Sequence, residues 1–138
     1  MPFNIITTEG VLADAIKAST HKAITACFLR LHNLSGNSFL ERHVIGEITT
    51  VPREETFAGG KPQNIVIVET LVPFFALNTP EQRKAYIAEV TEIILRAAGG
   101  RVERDRVYVN VVYPVDGLWG IAGKAYTNDQ LIETISKG

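Results

Sequence analysis

One pattern occurs twice in this chain and restricts its fold more than any other feature. An extended apolar run is followed by a stretch of helical spacing and then by a second extended run. Residues 3–8 (FNIITT) carry apolar and β-branched side chains and read as a strand. Over residues 11–31 the period changes. Leu12, Ile16, Ala23, Cys27 and Leu31 recur at helical spacing, while Asp14, Lys17, Lys22 and Arg30 fall largely off that stripe. Turn chemistry at 33–37 (NLSGN) leads to residues 43–51 (HVIGEITTV), a second predicted strand ended by Pro52. After a loop at 58–63 (AGGKPQ) the pattern restarts with residues 65–72 (IVIVETLV), a strong strand signal. The second helix has Thr79 as a cap, Pro80 in its first turn and Gln82 in the capping-box position. Tyr86, Val90, Ile93 and Ala97 form its apolar stripe, and Gly99-Gly100 stops it. Residues 107–113 (VYVNVVY) are the last strand of the repeat, and the tail over 116–126, with three glycines and Trp119, is expected to form a short hairpin.

Each β-α-β unit should pair its strands in parallel through a right-handed crossover. The expectation is one α/β (α+β) domain over 1–138, with units at about 2–51 and 64–113 and a tail at 114–138. Two units side by side give a four-stranded mixed sheet with two helices on one face, plus the C-terminal hairpin. The other face is also apolar, because Ile65, Ile67 and Leu71 project one way and Val66, Val68 and Val72 the other. A symmetric oligomer would bury it. Residues 3–8 and 107–113 are expected at the sheet edges.

Several function classes are disfavoured. A net charge of −1 gives no electrostatic case for nucleic acid or an anionic membrane. The single cysteine, Cys27, allows neither an internal disulfide nor a thiolate metal cluster, and it sits in an apolar stripe as a small core residue. No basic-then-apolar leader and no membrane-spanning run stands out, so a soluble, cytoplasmic protein is expected. HExxH, CxxC and phosphate-loop motifs are absent, and no cofactor is expected. Gly59-Gly60 precedes a strand, not a helix, and reads as a turn. His21 and His43 have no partner at metal-ligand spacing. Glu47 and Glu69 each interrupt an apolar strand, and pairing with an arginine is the favoured explanation.

Pro2 stands immediately before the first strand. Were Met1 removed, it would be a free secondary amine, which is a base or a nucleophile. This layout resembles the tautomerase superfamily, whose members include 4-oxalocrotonate tautomerase, macrophage migration inhibitory factor, malonate semialdehyde decarboxylase and cis-3-chloroacrylic acid dehalogenase. Three stretches carry the resemblance. They are Met1-Pro2 with the following strand, "LSGNSFLERHVIGEITTVPREETFAGG", and "DRVYVNVVY" with Trp119 shortly after. The resemblance implies a homotrimer with active sites at subunit interfaces, and catalysis by Pro2. An α-amino group starts near pKa ~7.7–8.0. Burial among apolar side chains lowers that value, so the amine can take and return a proton beside a carbonyl. The plainer alternative is a proline that stiffens the first strand.

Further site residues follow from the same resemblance. Tyr108 and Asn110 match the tyrosine and asparagine that a neighbouring subunit supplies in the migration inhibitory factor branch; a sheet contact is an equal reading. Lys61 could meet a substrate carboxylate or be a surface lysine. His32 lies near where the dehalogenase branch has an active-site histidine, and Trp119 belongs to the matching tail. The dehalogenase and decarboxylase branches hold a carboxylate with an arginine pair after the third strand. Residues 71–78 (LVPFFALN) have Phe74 and Phe75 there and no arginine. The tail offers only Asp116, outside the position of the dehalogenase acid. Tautomerisation of a small carbonyl compound, aromatic or unsaturated, is therefore favoured over dehalogenation or decarboxylation. The alternatives are a non-catalytic ligand-binding member of the fold and a decarboxylase-type member.

Overall fold

The computed structural model describes residues 1–138. Strand β1 (Phe3–Thr8) leads into helix α1 (Asp14–Leu31), a short helix α2 (Ser38–His43) and strand β2 (Ile48–Val51). A small hairpin of β3 (Phe57–Ala58) and β4 (Lys61–Pro62) separates this unit from the second, which runs β5 (Val66–Leu71), α3 (Pro80–Ala98) and β6 (Val107–Val112). A tail hairpin, β7 (Trp119–Ile121) and β8 (Lys124–Tyr126), precedes a last helix, α4 (Asn128–Ser136). The main sheet has the order β2-β1-β5-β6. The pairs β1/β2 and β5/β6 are parallel, as two crossover units require, and β1 meets β5 antiparallel at the centre.

The two-residue alternation of the strands sorts the sheet into unequal faces. Phe3, Ile5, Val66 and Val68 are buried beneath α1 and α3 with Ile24, Phe28, Tyr86, Val90 and Ile94. Phe28 meets Phe3 edge-on at 5.0 Å between ring centroids, and the Tyr86 hydroxyl shares a 2.7 Å hydrogen bond with Thr70. Burial pushes the Tyr86 phenol well above its ordinary range and the Cys27 thiol up to about 11, so neither ionises near neutrality. The opposite face carries Ile6, Ile67, Leu71, Tyr108, Asn110 and Val112 and has no covering element in a single chain.

The structure corrects four expectations. First, β1 is an inner strand; the edges are β2 and β6. Second, the strand expected over 43–51 is confined to Ile48–Val51. Asn37 caps a helical turn by accepting from Leu40 N at 3.0 Å, which makes Ser38–His43 helical. Third, the tail continues past its hairpin into α4, opened by a capping box in which Thr127 and Gln130 satisfy each other's backbone. The tail packs home through buried Leu131 and Ile135, and Asn37 Nδ2 donates to Ile135 O at 2.7 Å. Fourth, neither Glu47 nor Glu69 pairs with an arginine; Glu69 lies in register between the amides Asn4 and Asn110 on the uncovered face. The 58–63 loop tightens into a hairpin because Gly59 and Gly60 both take positive φ, as a two-residue turn of this hand needs. No helix is long and apolar enough to cross a membrane.

Candidate active site

Pro2 continues β1 at the N-terminal end of the sheet. It bridges Ile45 in parallel, and its carbonyl accepts from Leu71 N at 2.9 Å. Its ring borders a cleft of about 400 Å³ lined by Pro2, Met1, His43, Ile45, Trp119 and Ile121. The tail hairpin supplies the far wall, which brings Trp119 to Pro2 across most of the sequence. Trp119 is 7% exposed and its Nε1–H is buried with no acceptor. A buried donor without an acceptor is costly, which makes this indole N–H an exception among the chain's buried polar groups.

Met1 fills the space between this cleft and a small apolar cavity lined by Phe28, His32, Leu34, Leu40 and Phe75. Its ammonium donates to His43 O at 2.5 Å, and burial pushes the amine from the ordinary 8.0 down to about 6. With Met1 in place, Pro2 nitrogen is an amide and has no basic lone pair. The environment nonetheless disfavours a charged amine beside Pro2.

That shift carries a stability consequence for the methionine-retaining chain. The unfolded amine binds its proton at a higher pH than the folded one, so stability falls as pH drops from 8 towards 6 and levels off below. The expected loss is at most ~2 kcal/mol, given the solvent that still reaches the group. Urea midpoints at both ends of that window check it, with Nα-acetylated protein as the reference that lacks the amine. An identical pH response in the two proteins would disprove the shift.

The other residues singled out by sequence occupy distinct places. Tyr108 and Asn110 stand side by side on the uncovered face, opposite Ile67 and Glu69, in a cleft of about 500 Å³ with Phe57, Ile65 and Arg106. They lie two strands away from Pro2 and do not meet it within one chain. Lys61 is exposed on the β3–β4 hairpin. His32 has both ring nitrogens engaged. Nδ1 donates to Phe28 O at 2.8 Å, which leaves Nε2 to accept from Leu77 N at 3.0 Å. Burial pushes its pKa down, so the ring is neutral. Its contacts pin the 73–77 turn, where Leu77 takes φ 51 and the Tyr113 hydroxyl donates to Leu77 O at 2.9 Å. Phe75 half-buries at the Met1 cavity, and Phe74 is exposed against Tyr113. Asp116 accepts from Asn128 N at 2.6 Å and so holds the start of α4. No three His, Cys, Asp or Glu side chains converge on a point where a metal could be held. Sequence reasoning missed His43 and Ile45 as cleft residues, because they were assigned to a strand that is largely absent.

By sequence, no protein-family model and no curated protein matches the chain. Solved structures do. A fused 4-OT forming a symmetric trimer superposes with TM-score 0.76 at 14% identity, covering 95% of this chain and 98% of that one. A member of the cis-3-chloroacrylic acid dehalogenase family gives 0.73 at 12% identity over 100% of both chains. A malonate semialdehyde decarboxylase inhibited by 3-bromopropiolate gives 0.66 at 13% identity, covering 88% of this chain and 89% of that one. At such low identity the likeness is one of architecture: this chain has the same fold as the fused 4-OT, the dehalogenase-family member and the decarboxylase.

Proposed function

We propose that the chain, freed of Met1, is an isomerase that moves a proton between carbon and oxygen of a small keto–enol compound through Pro2. The neutral secondary amine takes the proton from one position and returns it to the other, so the step needs no cofactor and leaves Pro2 as it began. A donor at the carbonyl oxygen stabilises the charge that develops there. Trp119 Nε1–H is the candidate within the chain. The observation that carries this reading is the cleft at Pro2, mostly apolar, where burial alone brings a neighbouring amine down to about 6. An amine with a pKa near the working pH is the base this chemistry wants. The mostly apolar walls favour an aromatic or unsaturated carbonyl compound over a small diacid.

The uncovered face suits a homotrimer, in which Tyr108 and Asn110 of one protomer could stand at the Pro2 cleft of the next. The fused 4-OT relative forms trimers. Light scattering on purified protein is expected to give three times the mass of one 15.2 kDa chain. A stable monomer at micromolar concentration would leave Tyr108 and Asn110 without a role in the site. The chemistry itself is tested by intact-mass measurement together with ketonisation of an enol such as phenylenolpyruvate. Activity should appear only in protein that has lost Met1, and activity in the methionine-retaining form would refute proline catalysis.

A further inference from the structure

The end of the sheet remote from Pro2 holds a second polar cleft, of about 470 Å³, lined by Arg53, Gln63, Asn64, Arg101, Glu103 and Arg106 among others. These residues come from three connections: the segment after β2, the approach to β5, and the α3–β6 link. Six residues of β1 at ~3.3 Å each put the cleft about 20 Å from Pro2, so it is not an extension of that site. Three guanidinium groups against one carboxylate, Glu103, give its lining a charge of about +2, in a chain whose net charge is −1.

The arginines are incompletely satisfied. Arg53 Nε donates to Glu9 O at 3.2 Å, but Arg53 has no carboxylate partner, and neither has Arg101. Arg106 Nη1 reaches Asp105 Oδ2 at 3.1 Å, while its Nε is buried and makes no hydrogen bond. The arrangement is also built. Asn64 Nδ2 fixes the Arg101 backbone by donating to its carbonyl at 2.9 Å. Gly10, at φ +83, leaves room for the Arg53 guanidinium, because a Cβ there would come within 2.5 Å of Nη2. Glu103 and Asp105 offset part of this positive charge, and the remainder favours an anion among the guanidinium groups.

We propose that this cleft binds a dianionic tetrahedral oxyanion, either free phosphate or the phosphate of a monoester. A carboxylate could satisfy one guanidinium fork. A phosphate offers enough acceptor oxygens and enough charge for all three. The volume suits a small organic monoester as well as the bare ion. The inference is independent of the chemistry at Pro2.

The test is calorimetric titration of the full chain with inorganic phosphate, phenyl phosphate and acetate at matched ionic strength. Saturable binding of one phosphate per chain is expected, with acetate giving none. Phenyl phosphate binding more tightly would identify a monoester ligand, and equal affinity would identify phosphate itself. Arg101→Gln and Arg106→Gln should each weaken phosphate binding by about tenfold or more, since each removes a charge-assisted hydrogen bond. Arg101 and Arg96 are both exposed, so their variants should fold, and Arg96→Gln, outside the cleft, should bind as wild type does. Equal heats from phosphate and acetate, or undiminished affinity in Arg101→Gln, would overturn the proposal. So would a change in assembled mass in the arginine variants with no phosphate binding, which would make the cleft a subunit contact.

Discussion

Pro2→Ala, in protein lacking Met1, is expected to lower the turnover of enol ketonisation by ~10²–10⁴-fold, the range typical of a positioned general base. Alanine keeps a free terminal amine but replaces a constrained secondary amine by a mobile primary one. The loss should fall on kcat more than on KM, because proton transfer is an interaction made in the transition state. Fold and assembly should persist. Pro2 is half-buried at the end of β1, its carbonyl still accepts from Leu71, and its missing N–H costs the sheet nothing to restore. Asn110→Ala should cost less, since under the proposed trimer it would remove a neighbouring protomer's donor and not the base. Steady-state kinetics with circular dichroism as the fold control decide the matter. Full turnover in Pro2→Ala on every accepted substrate would reduce Pro2 to a strand start and leave a ligand-binding module as the better reading.

Much of this architecture was legible in the sequence, for identifiable reasons. The β5 run and the α3 stripe are long and strongly periodic, and Thr79 and Gly99 mark the ends of α3 as they stand in the structure. Two short helices were not legible on the same terms. The segment SFLERH is one capped turn and a half, too short for a period to show, and the β-branched residues after it invite a strand. For α4 a signal was present, Thr127 followed three residues later by Gln130, but the glycines before it drew attention to the hairpin alone. The inner position of β1 was hidden because its exposed-side residues, Asn4 and Ile6, alternate as an edge strand's would.

The site divides in the same way. Period two was enough to put Tyr108 and Asn110 on one face of β6. Nothing local tells that the tail folds back so that Trp119 and Pro2 line one cleft, since the two are separated by most of the sequence. His32 shows the opposite failure. A histidine near a resembling segment looked available, yet both its nitrogens are bound by backbone, and only the three-dimensional position of Leu77 reveals it. Arg53 lies in the connection after β2 and Arg101 and Arg106 in the α3–β6 link, about fifty residues further on, so no motif could gather them.

Gly46 offers the largest effect on stability, and it bears on the site through the backbone. The residue lies where the chain leaves α2 and joins the parallel ladder with β1. Phe3 N donates to Ile45 O at 2.7 Å and Ile5 N to Glu47 O at 2.9 Å, so Gly46 is clasped between two ladder bonds. A Cβ on Gly46 would lie 2.8 Å from the Phe3 carbonyl carbon and nearer still to its oxygen, with His21 Nε2 also in contact. Side chains can turn away from such overlap, but a carbonyl in the middle of the sheet cannot. Gly46→Ala must therefore separate β2 from β1 or displace Phe3, a core residue with 0% exposure. Overpacking typically costs 1–3 kcal/mol, and a backbone obstacle should place this variant at ~3 kcal/mol or more, a melting shift on the order of 10 °C. Denaturant unfolding of wild type and Gly46→Ala measures it. The double variant with His21→Ala separates the two obstacles. Removing the imidazole relieves one contact and also the 2.9 Å bond from His21 to Phe3 O, so no rescue is expected if the carbonyl is the cause. Rescue by His21→Ala would assign the constraint to the side chain, and an unchanged midpoint in Gly46→Ala would show that the ladder beside Pro2 yields more easily than its spacing implies.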